Sequence, residues 1–367
     1  MAGIYIHIPF CRQACNYCNF HFSTSLLKKK DVLHAITKEI SMVGNRVEKV
    51  ETIYFGGGTP SILHAEEVNS VLQQIHLQYD VAVETEITLE ANPDDITEAK
   101  LQQWKIAGIN RLSIGVQSFF EEDLQWMNRA HNAVHALGCL QLAKKYFDNI
   151  TIDLIYGVPG LTHEKWQQNV KTAIDIGIPH LSCYALTVEP KTPLNKLIST
   201  GKKNDVEPAL QSEQFLLLMD WLATANYEHY EISNFAMPGF RSKHNSSYWL
   251  GKPYWGFGPG AHSYNGSERW WNIANNQKYI DAMAAGVLPY EKEVLTDTQK
   301  TNEYIMISLR TKEGIDVDKL KPEHKPRILK AAASYIRNGL ILKKGQFLSL
   351  TNQGKLFADG IAADLFE

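Results

Sequence analysis

The sequence has almost no net charge and no long apolar run, and these two shortages exclude whole classes of protein. Its 367 residues contain 37 Lys and Arg against 40 Asp and Glu, which leaves a formal net charge of −3. Proteins that bind nucleic acids usually carry a basic excess, so we expect no nucleic-acid partner. No apolar run reaches the roughly 18 residues of a membrane-spanning helix. Residues 1–9 lack the basic region and cleavage site of a secretory signal, so we expect a cytoplasmic protein that does not span a membrane.

Cysteine is also scarce, and its distribution is uneven. Three of the five cysteines, Cys11, Cys15 and Cys18, lie within eight residues. In a reducing compartment such a group indicates a metal site rather than a disulfide framework. The spacing C-x3-C-x2-C suits a 4Fe-4S cluster, and three ligands leave one iron open to an outside chelate. Two alternatives stay open at this point: structural zinc with His7 or His21 as fourth ligand, or three unrelated thiols.

The first half of the chain alternates apolar strand patterns with amphipathic helix patterns. We predict strands at 3–9, 51–55, 86–90, 111–116, 150–155 and 181–186, and helices at 31–43, 65–77, 97–107, 132–145 and 163–176. Six such βα units imply an α/β protein with a parallel sheet. Because six is fewer than the eight strands of a closed barrel, we expect an incomplete (βα)6 barrel. Chemistry in such folds lies at the carboxyl ends of the strands. The unusual residues lie there: Cys11, residues 56–59, Glu90, Gln117 and Asp153.

The pattern changes after residue 188, and we predict three domains at 1–188, 189–289 and 290–367. The middle one is expected as an α+β extension, with a loop at 190–201, a long helix at 207–225 and little periodicity over 230–275. The last one has helix patterns at 298–309 and 326–338, then a hairpin at 340–343 and 347–350. This order is winged-helix-like. We favour a structural cap that shares the shape, because nothing else indicates duplex DNA.

Several motifs together resemble the radical SAM superfamily over nearly the whole chain. Beside the cysteine trio they are Tyr5–Cys11 (YIHIPFC), Gly56–Pro60 (GGGTP), Gly115–Phe119 (GVQSF) and Ile152–Gly160 (IDLIYGVPG). The first segment and the last two are similar to the group of oxygen-independent coproporphyrinogen III oxidase and its paralogues, the haem chaperones.

The resemblance implies cofactors and the residues that hold them. Cys11, Cys15 and Cys18 would ligate a 4Fe-4S cluster whose open iron binds S-adenosylmethionine (SAM), and an electron donor would reduce the cluster. The resemblance implies these SAM-binding residues: Tyr5, Tyr17, Gly57, Gly58, Thr59, Glu90, Gln117, Arg129 and Asp153. Each has an ordinary alternative when taken singly, such as a surface ion pair for Arg129, but their order on successive strands favours the site.

Three features separate the oxidase from the chaperone. Phe20 stands where the oxidase has a fourth cysteine, and Tyr5 lies too near the start for the oxidase's N-terminal extension. His244 to Trp249 matches the HNxxYW signature of the chaperones, which offers an imidazole beside aromatic rings. His244 is therefore predicted as a haem ligand, with a structural histidine as the alternative and His262 as the next candidate.

We therefore expect a haem chaperone on a radical SAM scaffold. It would bind haem and pass it to haem-requiring apoproteins such as respiratory enzymes. The alternative is an enzyme, the oxygen-independent coproporphyrinogen III oxidase, which converts two propionates to vinyl groups by oxidative decarboxylation.

Overall fold

The computed structural model describes residues 2–43 and 49–367. Its strands are β1 (Ala2–Ile8), β2 (Val50–Gly57), β3 (Val81–Ala91), β4 (Arg111–Gln117), β5 (Ile150–Tyr156), β6 (His180–Ala185), β7 (Glu228–Glu231), β8 (Asn234–Ala236), β9 (Tyr254–Phe257), β10 (His262–Tyr264), β11 (Glu268–Asn272), β12 (Tyr290–Val294), β13 (Ile315–Asp316), β14 (Ile341–Lys344) and β15 (Phe347–Leu350). Its α-helices are α1 (Lys29–Val43), α2 (Ala65–Gln78), α3 (Glu98–Ile106), α4 (Glu121–Trp126), α5 (Ala133–Ala143), α6 (His163–Ile176), α7 (Pro193–Ser199), α8 (Pro208–Thr224), α9 (Lys243–Trp249), α10 (Asn276–Ala284), α11 (Asp297–Leu309), α12 (Lys325–Arg337), α13 (Asn352–Lys355) and α14 (Ala358–Leu365).

The strands β1 to β6 are parallel neighbours in chain order, as the alternating pattern predicts. Their inward and outward side chains are almost all buried, which explains why each strand is a near-continuous apolar run. The connecting helices α3, α5 and α6 begin at residues whose side chains cap them. The Thr97 side chain accepts a hydrogen bond from the backbone of Lys100 at the start of α3. The predicted α/β core is confirmed.

The sheet continues beyond the parallel strands on both sides and becomes mixed. In residues 2–43 and 49–367, twelve strands form one sheet in the order β12-β11-β10-β9-β1-β2-β3-β4-β5-β6-β8-β7. β9 is parallel to β1, whereas β10 to β12 and the pair β8 and β7 are antiparallel to their neighbours. Much of the segment 230–275, which shows little periodicity, is therefore strand. Its strands have three to five residues each, and an alternation that short gives no clear signal.

The expected loop at 190–201 is wrong in part, because it contains helix α7. Pro193 is the first residue of that helix, and the Thr192 side chain caps it by accepting from the backbone of Asn195. Proline fits the first turn of a helix, where its missing N–H has no partner to lose. In this sequence the proline marks a helix start rather than an interruption.

The C-terminal segment has its own core. α11, α12, α14 and the small sheet β13-β15-β14 bury one cluster of apolar side chains, separate from the cluster under the large sheet. The predicted helices and hairpin are present at nearly the predicted residues. The likeness to a winged helix stays a prediction, as do the three domain boundaries.

Candidate functional site

The three clustered thiols lie on the loop that follows β1. The backbone pairs of Cys11 with Ser23 (3.0 Å) and of Ser23 with Pro9 (2.9 Å) close this loop at its base. Thr59, after β2, donates a hydrogen bond to Cys11 Sγ at 3.4 Å. Burial raises the pKa of the Cys11 thiol to about 11 and also raises that of Cys18.

Contacts from later parts of the chain hold the same loop. The Asn128 side chain donates to the carbonyl of Ala14 at 2.8 Å, and the Gln13 side chain donates to the carbonyl of Asn128 at 2.9 Å. The Asn16 carbonyl accepts from the backbone of Leu194 in α7 at 2.8 Å. The short helix α7 thus helps to fix the loop that carries the thiols.

The glycines after β2 are required by close packing. Gly57 has φ of +105°, and a Cβ there would lie 2.5 Å from the His7 ring. A Cβ at Gly58 would lie 2.6 Å from the backbone oxygen of Phe10. These glycines are predicted to leave room for a ligand, but the packing of the protein itself already requires them. A valine at Gly57 would strain the backbone whether or not a ligand binds.

Two carboxyl groups stand at the same end of the sheet. Glu90 accepts from the Tyr54 hydroxyl at 2.8 Å and from the backbone N–H of Gly57 at 3.2 Å. Burial raises the pKa of Glu90 to about 7, and it raises the pKa of Asp153 to about 6. Low solvent exposure disfavours the charged form of each carboxyl, so both take up a proton more readily than an exposed carboxyl does.

Arg129 connects the loop to the strand ends. Its guanidinium donates to Asn92 Oδ1 and to the Gly115 carbonyl, both at 2.8 Å, and to Cys15 Sγ at 3.2 Å. Its Nε is buried and has no hydrogen-bond partner among the described residues. Asn92 also donates to Thr59 Oγ1 at 3.2 Å, so a single amide links two predicted site residues.

These groups surround one cavity of about 460 Å³, here called the thiol cavity. It is lined by every predicted cluster and SAM residue except Tyr5: Cys11, Cys15, Cys18, Tyr17, Gly57, Gly58, Thr59, Glu90, Gln117, Arg129 and Asp153. Tyr5 lies outside the lining and stacks on Tyr54, with ring centroids 6.1 Å apart. The sequence analysis missed other lining residues, among them Asn92, Ser113 and Tyr184. Asn92 directly follows β3 and Tyr184 is near the end of β6, and these places at strand ends were the available signal, whereas Ser113 lies within β4.

The residues of the thiol cavity fit a three-cysteine cluster with SAM. All three thiols face one space, and an arginine with an unpartnered donor stands beside two carboxyls. An arginine suits a carboxylate, and a carboxyl suits an amine or a ribose. The zinc alternative has less support. His7 Nε2 bonds the His21 carbonyl at 3.0 Å and His7 Nδ1 bonds Tyr5 at 3.2 Å, while His21 Nε2 bonds Asn276 at 2.8 Å.

His244 lies at the opposite end of the parallel strands. It is 1% exposed and approaches Gly3 and Thr52, near the starts of β1 and β2. Its Nδ1 is 2.8 Å from Thr52 Oγ1, and its Nε2 is 2.8 Å from the Tyr248 hydroxyl. Burial lowers the pKa of this imidazole to about 3. Both ring nitrogens are thus engaged, which weighs against a direct haem bond, although His244 as a ligand stays a prediction.

His262, the second candidate, is exposed and stacks on Trp271, with ring centroids 6.1 Å apart. It lines neither the thiol cavity nor the cleft described next.

A second large space, here called the aromatic cleft, adjoins His244. Its volume is about 850 Å³. Its walls include Tyr248 and Trp249 of α9, Tyr254 of β9, Tyr264 of β10 and Tyr304 of α11. The HNxxYW motif therefore contributes its tyrosine and tryptophan to the cleft, while its histidine is buried behind them.

No helix among the described residues is long and apolar enough to cross a membrane.

Comparisons with known proteins agree on the family. The model of the radical SAM superfamily matches residues 5–186. The haem chaperone HemW of Bacillus subtilis is 33% identical, covering 98% of this chain and 98% of its own. HemW of Lactococcus lactis is 34% identical, covering 95% of this chain and 93% of its own. The solved coproporphyrinogen III oxidase HemN of Escherichia coli, a radical SAM enzyme, matches with a TM-score of 0.84 at 22% identity, covering 100% of this chain and 90% of its own, which is a likeness of fold.

Proposed function

Because the chain belongs to the radical SAM superfamily, within the coproporphyrinogen oxidase-like group that contains the haem chaperones, we propose that it is a haem chaperone. It binds a 4Fe-4S cluster, SAM and haem, and it delivers haem to apoproteins such as respiratory enzymes. An electron donor that reduces the cluster is a further partner.

The observation that carries this proposal is the makeup of the thiol cavity. Three cysteines line it, and the position of a fourth cysteine is taken by Phe20, whose side chain is 66% exposed at the cavity. The oxidase pattern needs that fourth cysteine, so Phe20 favours the chaperone. The haem part of the proposal is supported by the names of the full-length relatives.

The residues of the thiol cavity have distinct tasks. Cys11, Cys15 and Cys18 would hold the cluster, and the chemistry that a bound, reduced cluster would supply is one-electron reduction of SAM. Arg129 and Asn92 present donors to the carboxylate of SAM. Glu90 and Asp153 accept from its amine and ribose, and Tyr17 packs beside Arg129, whose Nη1 is 3.5 Å from the Tyr17 hydroxyl.

The alternative function, oxidative decarboxylation of coproporphyrinogen III, is tested with the reconstituted protein. We expect no protoporphyrinogen IX when cluster, SAM and reductant are all present without oxygen. Robust product formation would overturn the chaperone proposal in favour of the enzyme.

The chaperone function itself is tested by transfer. The protein is loaded with hemin, freed of excess, and mixed with the apo form of a haem-requiring respiratory enzyme. We expect the enzyme to gain activity faster than with the same amount of hemin bound to albumin. A protein that binds no hemin, or that never releases it, contradicts the proposal.

We further propose that β1 to β6 curve into the incomplete barrel expected from the sequence. Residues 189–289 would extend it, and residues 290–367 would form a winged-helix-like cap. The separate apolar core of the C-terminal segment supports the last boundary.

A further inference from the structure

A row of polar side chains on one face of the sheet runs away from the thiol cavity. Asp153 of β5, Ser182 of β6 and Asn234 of β8 are register partners on neighbouring strands, so their side chains point to the same face. Asp153 lines the thiol cavity, whereas Ser182 and Asn234 are 2% and 4% exposed. The row therefore connects a residue of the predicted SAM site with groups buried behind it.

The Asn234 amide has a fixed orientation, because a carboxyl group holds its donor end. Its Nδ2 donates to Glu231 Oε1, and the same carboxyl oxygen accepts from the backbone N–H of Ser233 at 3.2 Å. An ionised carboxylate accepts hydrogens and donates none. The oxygen of the Asn234 amide therefore faces the other way, toward Ser182.

The Ser182 hydroxyl has one hydrogen and two acceptors beside it. It donates to Asn234 Oδ1 at 2.5 Å. It also acts on Asp153 as a hydrogen-bond donor, which lowers the pKa of that carboxyl. Because a hydroxyl carries a single hydrogen, the share that Asn234 takes is withheld from Asp153.

We propose that Ser182 and Asn234 are positioning residues of the SAM site: Ser182 supplies a hydrogen to the Asp153 carboxylate, and Asn234, held by Glu231, competes for that hydrogen. The inference rests on the proposed function, in which Asp153 accepts a hydrogen bond from SAM. Only the ionised carboxylate can accept in this way, so the competition sets how much of the protein is ready to bind SAM at a given pH.

The direction of the pH dependence follows from burial. Burial raises the pKa of Asp153 to about 6, and the Arg129 and Arg111 guanidiniums oppose this rise. Below that pH the carboxyl is protonated and cannot accept. SAM affinity should therefore fall as the pH drops through the pKa of Asp153.

Other titratable groups face Asp153 from the strands around it. They interact with it electrostatically and are Tyr54 of β2, Glu90 of β3, and Cys183 and Tyr184 of β6. Glu90 titrates in the same range, so a measured midpoint belongs to the two carboxyls together. Every variant below keeps all of these groups, so a shift of the midpoint between variants reports on the Ser182 hydrogen.

The test is a calorimetric SAM titration of the cluster-loaded protein from about pH 5 to about pH 8, with the protons released on binding as a second readout. Ser182→Ala removes the shared hydrogen, so the midpoint of SAM binding should rise by about one pH unit. Below the midpoint this lowers SAM affinity by about tenfold at the same pH. Ser182→Thr keeps a hydroxyl and should restore the wild-type midpoint.

Asn234→Ala should move the midpoint in the opposite direction. This change removes the competing acceptor, so the Ser182 hydrogen goes to Asp153 and the midpoint should fall by up to about one pH unit. In the Ser182→Ala background the same change should leave the midpoint where it is, because Asn234 acts through Ser182. Cluster iron content reports folding. If Asn234→Ala does not fold, combining it with Glu231→Gln removes the unpaired buried charge and carries the same expectation.

Ser263→Ala is the matched control, since Ser263 is a buried serine of β10 that does not line the thiol cavity. It should keep the wild-type affinity and midpoint. A role of Ser182 and Asn234 in packing alone predicts lower SAM affinity at every pH with an unchanged midpoint.

The outcomes separate the inference from the proposed function. If SAM binds but its affinity does not depend on pH, or if the two variants move the midpoint in the same direction or not at all, the inference is wrong and the proposed function stands. If the wild-type protein binds no SAM, the proposed function fails and the inference fails with it.

Discussion

The thiol cavity and the aromatic cleft lie at opposite ends of the same parallel strands and are built differently. The thiol cavity takes its residues from β2 to β6 and from the loops that follow β1 to β6, and it is rich in thiols, carboxyls and amides. The aromatic cleft takes its residues from α9, β9, β10 and α11 and is rich in tyrosine. The first offers polar groups and thiols to a ligand, whereas the second offers mainly aromatic surface. The two ends of the same strands therefore present different chemistry.

The strongest way to break this comparison is to remove the cluster ligands. The triple change of Cys11, Cys15 and Cys18 to alanine should abolish the roughly four irons per chain of a reconstituted cluster. Hemin binding should persist, because the HNxxYW motif, which is the predicted haem-binding segment, does not line the thiol cavity. Iron analysis and hemin titration measure the two effects.

Cys139→Ala is the matched control, since Cys139 is a buried thiol in α5 that lines neither space. It should keep all the iron. If the triple variant holds as much iron per chain as the wild type, these three cysteines are not the cluster ligands. Loss of hemin binding together with iron would mean that the two regions are not independent.

A smaller effect is expected from Arg129→Gln. This change removes charged hydrogen bonds at the thiol cavity, each worth about 1.5–3 kcal/mol. SAM affinity should fall by roughly tenfold or more, as measured by calorimetry on the cluster-loaded protein. Arg12→Gln is the control, because the Arg12 side chain is 60% exposed in its ion pair with Asp95. A SAM affinity equal to wild type in Arg129→Gln would contradict this role.

The pH dependence of stability sharpens the comparison further. The pKa of Glu90 is raised from 4.5 to about 7 by burial, so the folded protein holds this proton where the unfolded chain has released it. Stability should therefore fall as pH rises from about 4.5 to about 7. Glu90→Gln should flatten that fall by an amount of the order of 2 kcal/mol. Urea unfolding of the cluster-free protein between these pH values measures it.

Glu39 provides the control for this prediction. Burial raises its pKa to about 7 as well, but it binds Tyr279, Asn272 and Gly258 away from both spaces. Glu39→Gln should flatten the pH dependence without weakening SAM binding, whereas Glu90→Gln should do both. A pH dependence of stability that is the same in Glu90→Gln as in the wild type would show that the pKa of this carboxyl is not raised in the folded protein.

The contrast between the two spaces also explains what could be predicted from the sequence. The thiol cavity was predictable because parallel strands bring successive strand ends to one edge, so chain order gives spatial order. Glu90, Gln117 and Asp153 follow this rule. Asn92 follows β3 and obeys the same rule, but its role as the amide that links Thr59 to Arg129 is visible only in the structure.

The aromatic cleft was not predictable for a different reason. β9 and β10 have four and three residues, and β9 pairs with β1, about 250 residues away in the chain. Such pairing is decided by tertiary packing rather than by local pattern. The HNxxYW motif can be read in the sequence. Which of its side chains is buried and which line the cleft depends on how α9 packs, and the sequence does not show that packing.

The sheet of twelve strands in the described residues has two edge strands, β7 and β12. These edges bear on whether copies of the protein associate at high concentration. An unpaired sheet edge is a template for strands of other molecules. At one end, β7 is covered by the chain around residue 311, since the Lys312 N–H bonds the Tyr230 carbonyl at 3.0 Å. At the other end, β12 presents Glu291, Lys292 and Glu293 in succession. A second copy aligned there would have to desolvate those charges, which disfavours edge-to-edge pairing of the sheet.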